Sequence, residues 1–310
     1  MAVSKGRILL VDDEPDLLDV LGEFLEDIGY SVATAGDGLA ALEVLDKDSN
    51  FDLLLSDINM PRMKGFELLA EARKKYPKLK SALITAYDIN SYIELAQKHN
   101  IGNIISKTSP FNFTDFRANV DGWVTGDIFG LDRHFGSEAD KGRLTLTHSR
   151  QIEAAIQELF ALHVAHPKAE RVKTALREIV VNAVYYGARQ EDGAKKDDWV
   201  IDVELQPDEY VYIDWAADKD KIGIAINDQK GKLRKSDVLF WLERNISRDP
   251  ATGLVKSLED EHGRGLFITR EFIDSLIINI IPEKRTEVIL INYLKDKYKG
   301  FKPLIINELS

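Results

Sequence analysis

The sequence predicts an α/β chain in two parts: a doubly wound, five-stranded parallel domain followed by an α+β sandwich. Three observations carry this. Up to about residue 122, short apolar runs alternate with helical patterns roughly every twenty residues, the rhythm of βαβ units. From residue 143 the order changes to two amphipathic helices and then successive strands. The length of 310 residues suits about two domains.

The elements follow in order. Arg7–Val11 is a short apolar strand ending in Asp12 and Asp13. Asp16 to Ile28 carries apolar residues at helical spacing and closes on Gly29. Ser31 to Ala35 is the second strand and Gly38 to Leu45 the second helix. Phe51 to Ser56 is a continuous apolar run that stops at Asp57, with Pro61 and Gly65 breaking the chain after it. Such a run, bounded by breakers, reads as a buried parallel strand. Gly65 to Lys75, Ile89 to His99 and Phe113 to Val124 are helices; Ser81 to Thr85 and Asn103 to Lys107 are strands.

In an open parallel sheet the carboxyl ends of the strands carry the chemistry. Here those ends hold Asp12 and Asp13, Asp57, Thr85 and Lys107. Three carboxylates in one place do not ionise comfortably alone. They call for a hard divalent cation with oxygen ligands, which Mg2+ fits. A cation beside Asp57 would support attack by that carboxylate on a phosphoryl donor. Helix N-termini favour Asp in any case, so acidic loop ends alone would be a weak signal; five polar positions at the expected strand ends are a strong one. This set, in this order, resembles the receiver domain of two-component response regulators over residues 7 to about 122. The resemblance implies that Asp57 is the phosphoacceptor in a phosphorelay. It makes Asp12, Asp13, Asp57 and the Asn59 carbonyl the metal ligands, Thr85 the switch hydroxyl and Lys107 its basic partner. Two positions depart from the pattern. Thr108 and Ser109 separate Lys107 from Pro110, and Ile104 stands where an aromatic switch residue is usual, a role Tyr87 would take over in part.

Residues 123–142 read as a linker that packs rather than swings. Trp123, Ile128, Phe129, Leu131 and Phe135 are too apolar for a Gly/Ser tether.

In residues 143–310, Leu144 to Thr147 is a short strand. Ser149 to Ala165 and Glu170 to Ala188 are helices. Glu178 and Asn182 stand four apart and share a helix face. Polar groups in that apolar setting are costly unless something satisfies them. Trp199 to Leu205, Glu209 to Ala216 and Ile222 to Asn227 read as antiparallel strands, the third ending in Asp228. After an irregular stretch with one short helix, Ser236 to Asn245, His262-Gly263-Arg264-Gly265-Leu266 opens another helix, whose free N–H groups suit a phosphate. Leu276 to Ile281 and Thr286 to Ile291 close the sheet. The order of these motifs resembles the ATP-binding domain shared by histidine kinases and gyrase, closest to the anti-sigma-factor serine/threonine kinase branch. By that resemblance Asn182 holds Mg2+, Asp228 takes the adenine amino group with Thr286 beside it, and Gly231, Gly263, Arg264, Gly265 and Leu266 line the nucleotide. Glu178 polarises the attacking hydroxyl or water. The family's Asp-x-Gly-x-Gly loop is altered to Asp228-Gln-Lys230-Gly231-Lys232.

The exclusions narrow the function. The net charge of −11 with no dense basic block argues against nucleic acid and anionic membranes. With no Cys there is no disulfide or thiolate chemistry. No apolar stretch reaches membrane-spanning length and no signal peptide precedes the first strand, so a cytoplasmic protein is expected. None of the six His stands on a two-helix hairpin that would make it a phosphoacceptor. No DNA-binding helix follows the first domain. The expected partners are a cognate histidine kinase and an anti-sigma antagonist or other protein substrate. Pairing of two copies through the last receiver helices is a further expectation. The expected output is either an ATP-dependent kinase or a degenerate nucleotide fold that only binds a partner protein.

Overall fold

The computed structural model describes residues 4–162, 169–188, 202–258, 260, 263–295 and 298–309. The five N-terminal strands form as predicted: β1 (Arg7–Val11), β2 (Ser31–Ala35), β3 (Leu53–Asp57), β4 (Lys80–Thr85) and β5 (Asn103–Ser106), all parallel. Between them lie α1 (Pro15–Asp27), α2 (Gly38–Lys47), α3 (Gly65–Lys75) and α4 (Ile93–His99), the last preceded by a 3-10 turn, Ile89–Tyr92. Then comes α5 (Phe113–Thr125). Asp37 caps α2 by accepting from Leu39 and Ala40 N–H.

The second part contains β6 (Asp140–Leu146), α6 (Ile152–Ala161), α7 (Ala169–Asn182), β7 (Val211–Ala217), β8 (Lys221–Asp228), α8 (Lys235–Ile246), α9 (Arg264–Phe272), β9 (Ser275–Ile281), β10 (Arg285–Tyr293) and β11 (Leu304–Glu308). The predicted second helix runs on from α7 as a π-helical segment, Ala183–Ala188. The predicted strand Trp199 to Leu205 lies outside the described residues up to 201; residues 202–205 contribute only the isolated bridge Glu204–His148. His163, His166 and His262 also lie outside them.

Sequence reading expects two sheets; the structure joins them. Among the described residues, eleven strands form one sheet in the order β2-β1-β3-β4-β5-β11-β9-β10-β8-β7-β6. The joint is β11, which no sequence motif singled out. It pairs antiparallel with β5 and parallel with β9. Each face of this sheet carries its own apolar cluster, and each cluster runs through both parts of the chain. One includes Leu9, Leu54 and Ile104 with Ile226, Ile278 and Ile306, under α2 to α4 and α6 to α9. The other includes Ile8, Leu55 and Phe116 with Ala225, Ile277 and Ile289. The linker covers this second face: α5 continues to Thr125, and Ile128, Leu131 and Phe135 are buried. The last receiver elements, through which two copies were expected to pair, also make contacts within the chain. Helix α4 packs on α8, β11 covers β5, and α5 sends Asp115 to Lys221, 3.2 Å away.

Candidate functional site

The first site is at the carboxyl ends of β1, β3, β4 and β5. Every residue of β3 is buried, and Asp57 is its last. The turn after it is close: a Cβ on Gly65 would sit 2.2 Å from the Asp57 carbonyl oxygen, so only glycine lets α3 start there. One Asp57 carboxylate oxygen lies 2.6 Å from Lys107 Nζ. The other accepts the Asn59 N–H at 2.5 Å. Lys107 Nζ also lies 2.9 Å from Asp12. Burial holds the Asp57 carboxyl above its ordinary range, against the pull of Lys107 and the Asn59 N–H. Burial alone would lower Lys107; Asp12 and Asp57 outweigh it and raise it.

Thr85 is fully buried and its hydroxyl accepts the Tyr87 N–H at 3.1 Å. Its carbonyl accepts from Lys107 N–H at 2.7 Å, which ties β4 to the base of the lysine. Tyr87 is exposed, as is Asp13, which lies at the rim. Among the described residues no three His, Cys, Asp or Glu side chains gather as a metal-holding group. Two buried carboxylates, Asp12 and Asp57, are already bridged by one ammonium and are hard oxygen donors of the kind Mg2+ accepts. Tyr92 was not foreseen: its hydroxyl accepts from the Asn59 amide at 2.5 Å, and its ring stacks on Phe66.

The second site lies between α7, the end of β8 and the start of α9. Glu178 is half-buried on α7, and a Cβ on Gly265 would fall 2.3 Å from its carboxylate. Asn182, also half-buried, closes α7 where the π segment begins. Gly187 in that segment backs onto the Asp228 carboxylate, at 2.9 Å from a built Cβ. Asp228 is buried, and one of its oxygens accepts from the Lys230 and Gly231 N–H groups, both at 3.0 Å. Burial raises its carboxyl above the usual range, and these N–H groups pull it back. Thr286 faces Asp228 in register.

The altered loop is tied down. Gly231 has φ of +57° and lies beneath the β9–β10 turn, and its carbonyl accepts from Glu283 N–H at 3.0 Å. The two lysines are paired with acids, Lys230 with Asp208 at 2.5 Å and Lys232 with Glu283 at 3.5 Å. Gly263 has φ of +86° and fits against the Trp241 ring, so a side chain there would be strained and crowded. Arg264 donates to the carbonyls of Ser257, Leu258 and Asp260, holding the stretch before α9, and Leu266 packs on the core.

Sequence reasoning missed a buried polar chain across the middle of the sheet. Trp123 Nε1 donates to Asn307, Asn307 to Asn279, and Asn279 to Glu287. Arg285 links Glu287 to Asn227, the neighbour of Asp228. The available signal was a polar residue within each largely apolar strand.

Comparison with known proteins finds two family matches in the chain. Residues 8–121 match the response regulator receiver domain, and residues 143–291 the histidine kinase-like ATPase domain. The transcriptional regulatory protein GlrR of Escherichia coli (strain K12) is 41% identical over 87 residues, 28% of this chain and 19% of that protein. The alginate biosynthesis transcriptional regulatory protein AlgB of Pseudomonas aeruginosa is 34% identical over 108 residues, 34% of this chain and 24% of that protein. The chain thus spans between 19% and 24% of the length of these relatives. The solved response regulator TrrA of Thermotoga maritima is 36% identical, covers 38% of this chain and 98% of its own, and superposes with a TM-score of 0.35. The chain therefore joins a response regulator receiver domain, residues 8–121, to a histidine kinase-like ATPase domain, residues 143–291.

Proposed function

We propose that phosphorylation of Asp57 controls ATP binding in the second domain, and that the output is a protein serine/threonine kinase of anti-sigma-factor type. The observation that carries the first half is the setting of Asp57. It is a buried carboxylate with Lys107 on one oxygen and the Asn59 N–H on the other. One carboxylate oxygen forms the new P–O bond, and the leaving group of the phosphodonor, a histidine of the cognate kinase, departs with the bonding pair. Asp12 and Asp57, with the Asn59 carbonyl and Asp13 at the rim, would hold Mg2+. When bound it neutralises charge on the phosphoryl group and the carboxylate. Lys107 is placed to take a phosphoryl oxygen and Thr85 to close on another.

For the second half, the support is that the start of α9 lies against Glu178 at Gly265 and that the π segment following Asn182 lies against Asp228 at Gly187. Asp228 would accept from the adenine amino group, Asn182 would hold Mg2+, and the first turn of α9 would face the phosphates. Glu178 is positioned as general base for a substrate hydroxyl. A second reading, partner binding without turnover, is favoured by the loop after Asp228, clamped by Gly231 and by the Lys230–Asp208 and Lys232–Glu283 pairs. No described helix is long and apolar enough to cross a membrane; a cytoplasmic setting and an anti-sigma antagonist as substrate belong to this proposal.

Mass spectrometry of the full chain after treatment with acetyl phosphate and Mg2+ should show one added phosphoryl group, absent in Asp57→Asn. Titration with ATP and Mg2+ should show binding in wild type and in Glu178→Ala, with phosphate transfer reduced by about 10²–10⁴-fold in the variant. Equal labelling of Asp57→Asn would remove the first assignment, and unchanged turnover in Glu178→Ala the second. ATP binding without turnover in wild type would select the partner-binding reading.

A further inference from the structure

Helix α9 touches Glu178 of the second site at one end and the receiver at the other. Its first turn lies against Glu178 through Gly265, where an added methyl group would meet the Glu178 carboxylate. Near its other end is Arg270, 4% exposed. The Arg270 guanidinium donates to the Asn90 side-chain oxygen at 2.7 Å and to the Lys302 carbonyl at 3.3 Å. Its acidic neighbours are Glu271, 3.9 Å away and exposed, and Asp88, at the start of the receiver turn that holds Asn90. Its Nε–H is buried with no hydrogen-bond partner among the described residues. Burying a guanidinium costs several kcal/mol unless it is paired and fully satisfied. This one has only a long, exposed ion pair and an unsatisfied Nε–H, so stability is a poor account of an arginine here. Its shortest bond crosses into the receiver.

Asn90 lies in the 3-10 turn Ile89–Tyr92. That turn has contacts in two directions. Asp88 caps its start by accepting the Asn90 N–H at 3.0 Å. At its far end the Tyr92 hydroxyl holds the Asn59 amide, and the Asn59 N–H holds Asp57. The turn begins four residues after Thr85. Both Asp57 oxygens are engaged, one by Lys107 and one by Asn59 N–H. A new P–O bond on either oxygen therefore competes with one of these donors for that oxygen's lone pairs and shifts it. Asn59 is tied to the turn through Tyr92, and Lys107 is tied to Thr85 through its backbone. Either displacement bears on the turn, and the turn bears on Arg270. Five residue steps of helix, about 7.5 Å, then connect Arg270 to the Glu178 contact at Gly265.

We propose that the Asn90–Arg270 hydrogen bond is the joint through which phosphorylation of Asp57 changes the nucleotide site. The proposal rests on the reading of Asp57 and the ATP site given above. Arg270 is a positioning residue: it moves α9 and touches no substrate. A physical path is only a coupling path when breaking it uncouples the sites.

The test uses the full chain with Asn90→Ala. Asn90 is half-buried, and alanine keeps the backbone N–H that Asp88 caps. ATP affinity is measured by calorimetry with Mg2+, with and without beryllium fluoride as the phosphoryl mimic. Amide hydrogen exchange of residues 264–272 is measured in the same two states without nucleotide. In wild type the mimic should change ATP affinity by at least about fivefold and change α9 exchange. In Asn90→Ala both changes should vanish, with unliganded ATP affinity and uptake of the mimic intact. Asn90→Asp, which keeps an acceptor for Arg270, should retain both. A full wild-type response in Asn90→Ala overturns the joint, and so does a wild type whose α9 exchange ignores the mimic. If ATP does not bind at all, the functional reading fails separately, and the exchange data still decide the joint.

Discussion

Glu287 is the third residue of β10 and has no exposed surface. Its carboxylate accepts the Gly130 N–H at 3.1 Å and the Asn279 amide at 2.9 Å. Burial raises its carboxyl above the ordinary range, and these donors only partly offset that. The sign of the linkage follows. An unfolded Glu titrates near about 4.3. Between that value and the higher folded one, the folded chain keeps a proton that the unfolded chain has released. Stability from this group therefore falls as pH rises through that window and is constant above it. Glu287→Gln does not titrate, so the urea midpoint of wild type relative to the variant should decline with rising pH across the window. A difference that grows in favour of wild type would contradict the burial argument. Asp57, Asp12, Thr85 and Lys107 were legible in sequence because each ends an apolar run, where a polar side chain has a topological meaning. Asn279, Glu287 and Asn307 were not. Each is a polar residue inside a buried strand, and its partner depends on inter-strand register, which the local sequence does not contain. Arg270 was hidden for the same reason: its acceptor is 180 residues away.

At the scale of elements, β11 decides how the two domains meet. It is five residues long, four of them buried, and it provides the only pairing between the two halves of the sheet among the described strands. An apolar run that short carries no periodicity to distinguish it from a terminal tail. The βαβ alternation of residues 7–125 was readable because each strand and its helix are neighbours in sequence. The π segment after Asn182 was not, because an apolar helical pattern does not show where the ladder widens. The contact of β11 with β5 has a point of no clearance. Gly102 accepts the Ile306 N–H at 2.9 Å, and a Cβ on Gly102 would sit 2.6 Å from the Ile306 carbonyl oxygen. Backbone cannot swing aside as a flexible side chain does. Gly102→Ala should therefore destabilise the chain by about 1–3 kcal/mol, read as a lower urea midpoint. Hydrogen exchange should quicken first at residues 304–308. Protection lost elsewhere with β11 unaffected would place the strain at a different contact.

For the whole molecule, the shared sheet sets an expectation that two separate domains would not. Domains joined by an ordinary interface move and unfold independently by default. Here the apolar clusters on both sheet faces run through both domains, and the linker seals the second face with Ile128, Leu131 and Phe135. Polar bonds cross as well. Asp115 pairs with Lys221 where both side chains are nearly buried, Tyr293 donates to Asp115, and Trp123 donates to Asn307 at 2.7 Å. Separating the domains would expose the edges of β5 and β11 and leave Lys221 without its carboxylate. A buried charge that loses its partner costs about 3–5 kcal/mol. The unfolded receiver would thus withdraw support that the ATPase sheet cannot replace. Scanning calorimetry of the full chain should give one endotherm whose van't Hoff and calorimetric enthalpies agree. Asp115→Asn should lower its midpoint and keep it single. Two resolved transitions in wild type would mean that the sheet is continuous in geometry and not in energy, and signals between the sites would then have to pass through local contacts such as Asn90–Arg270.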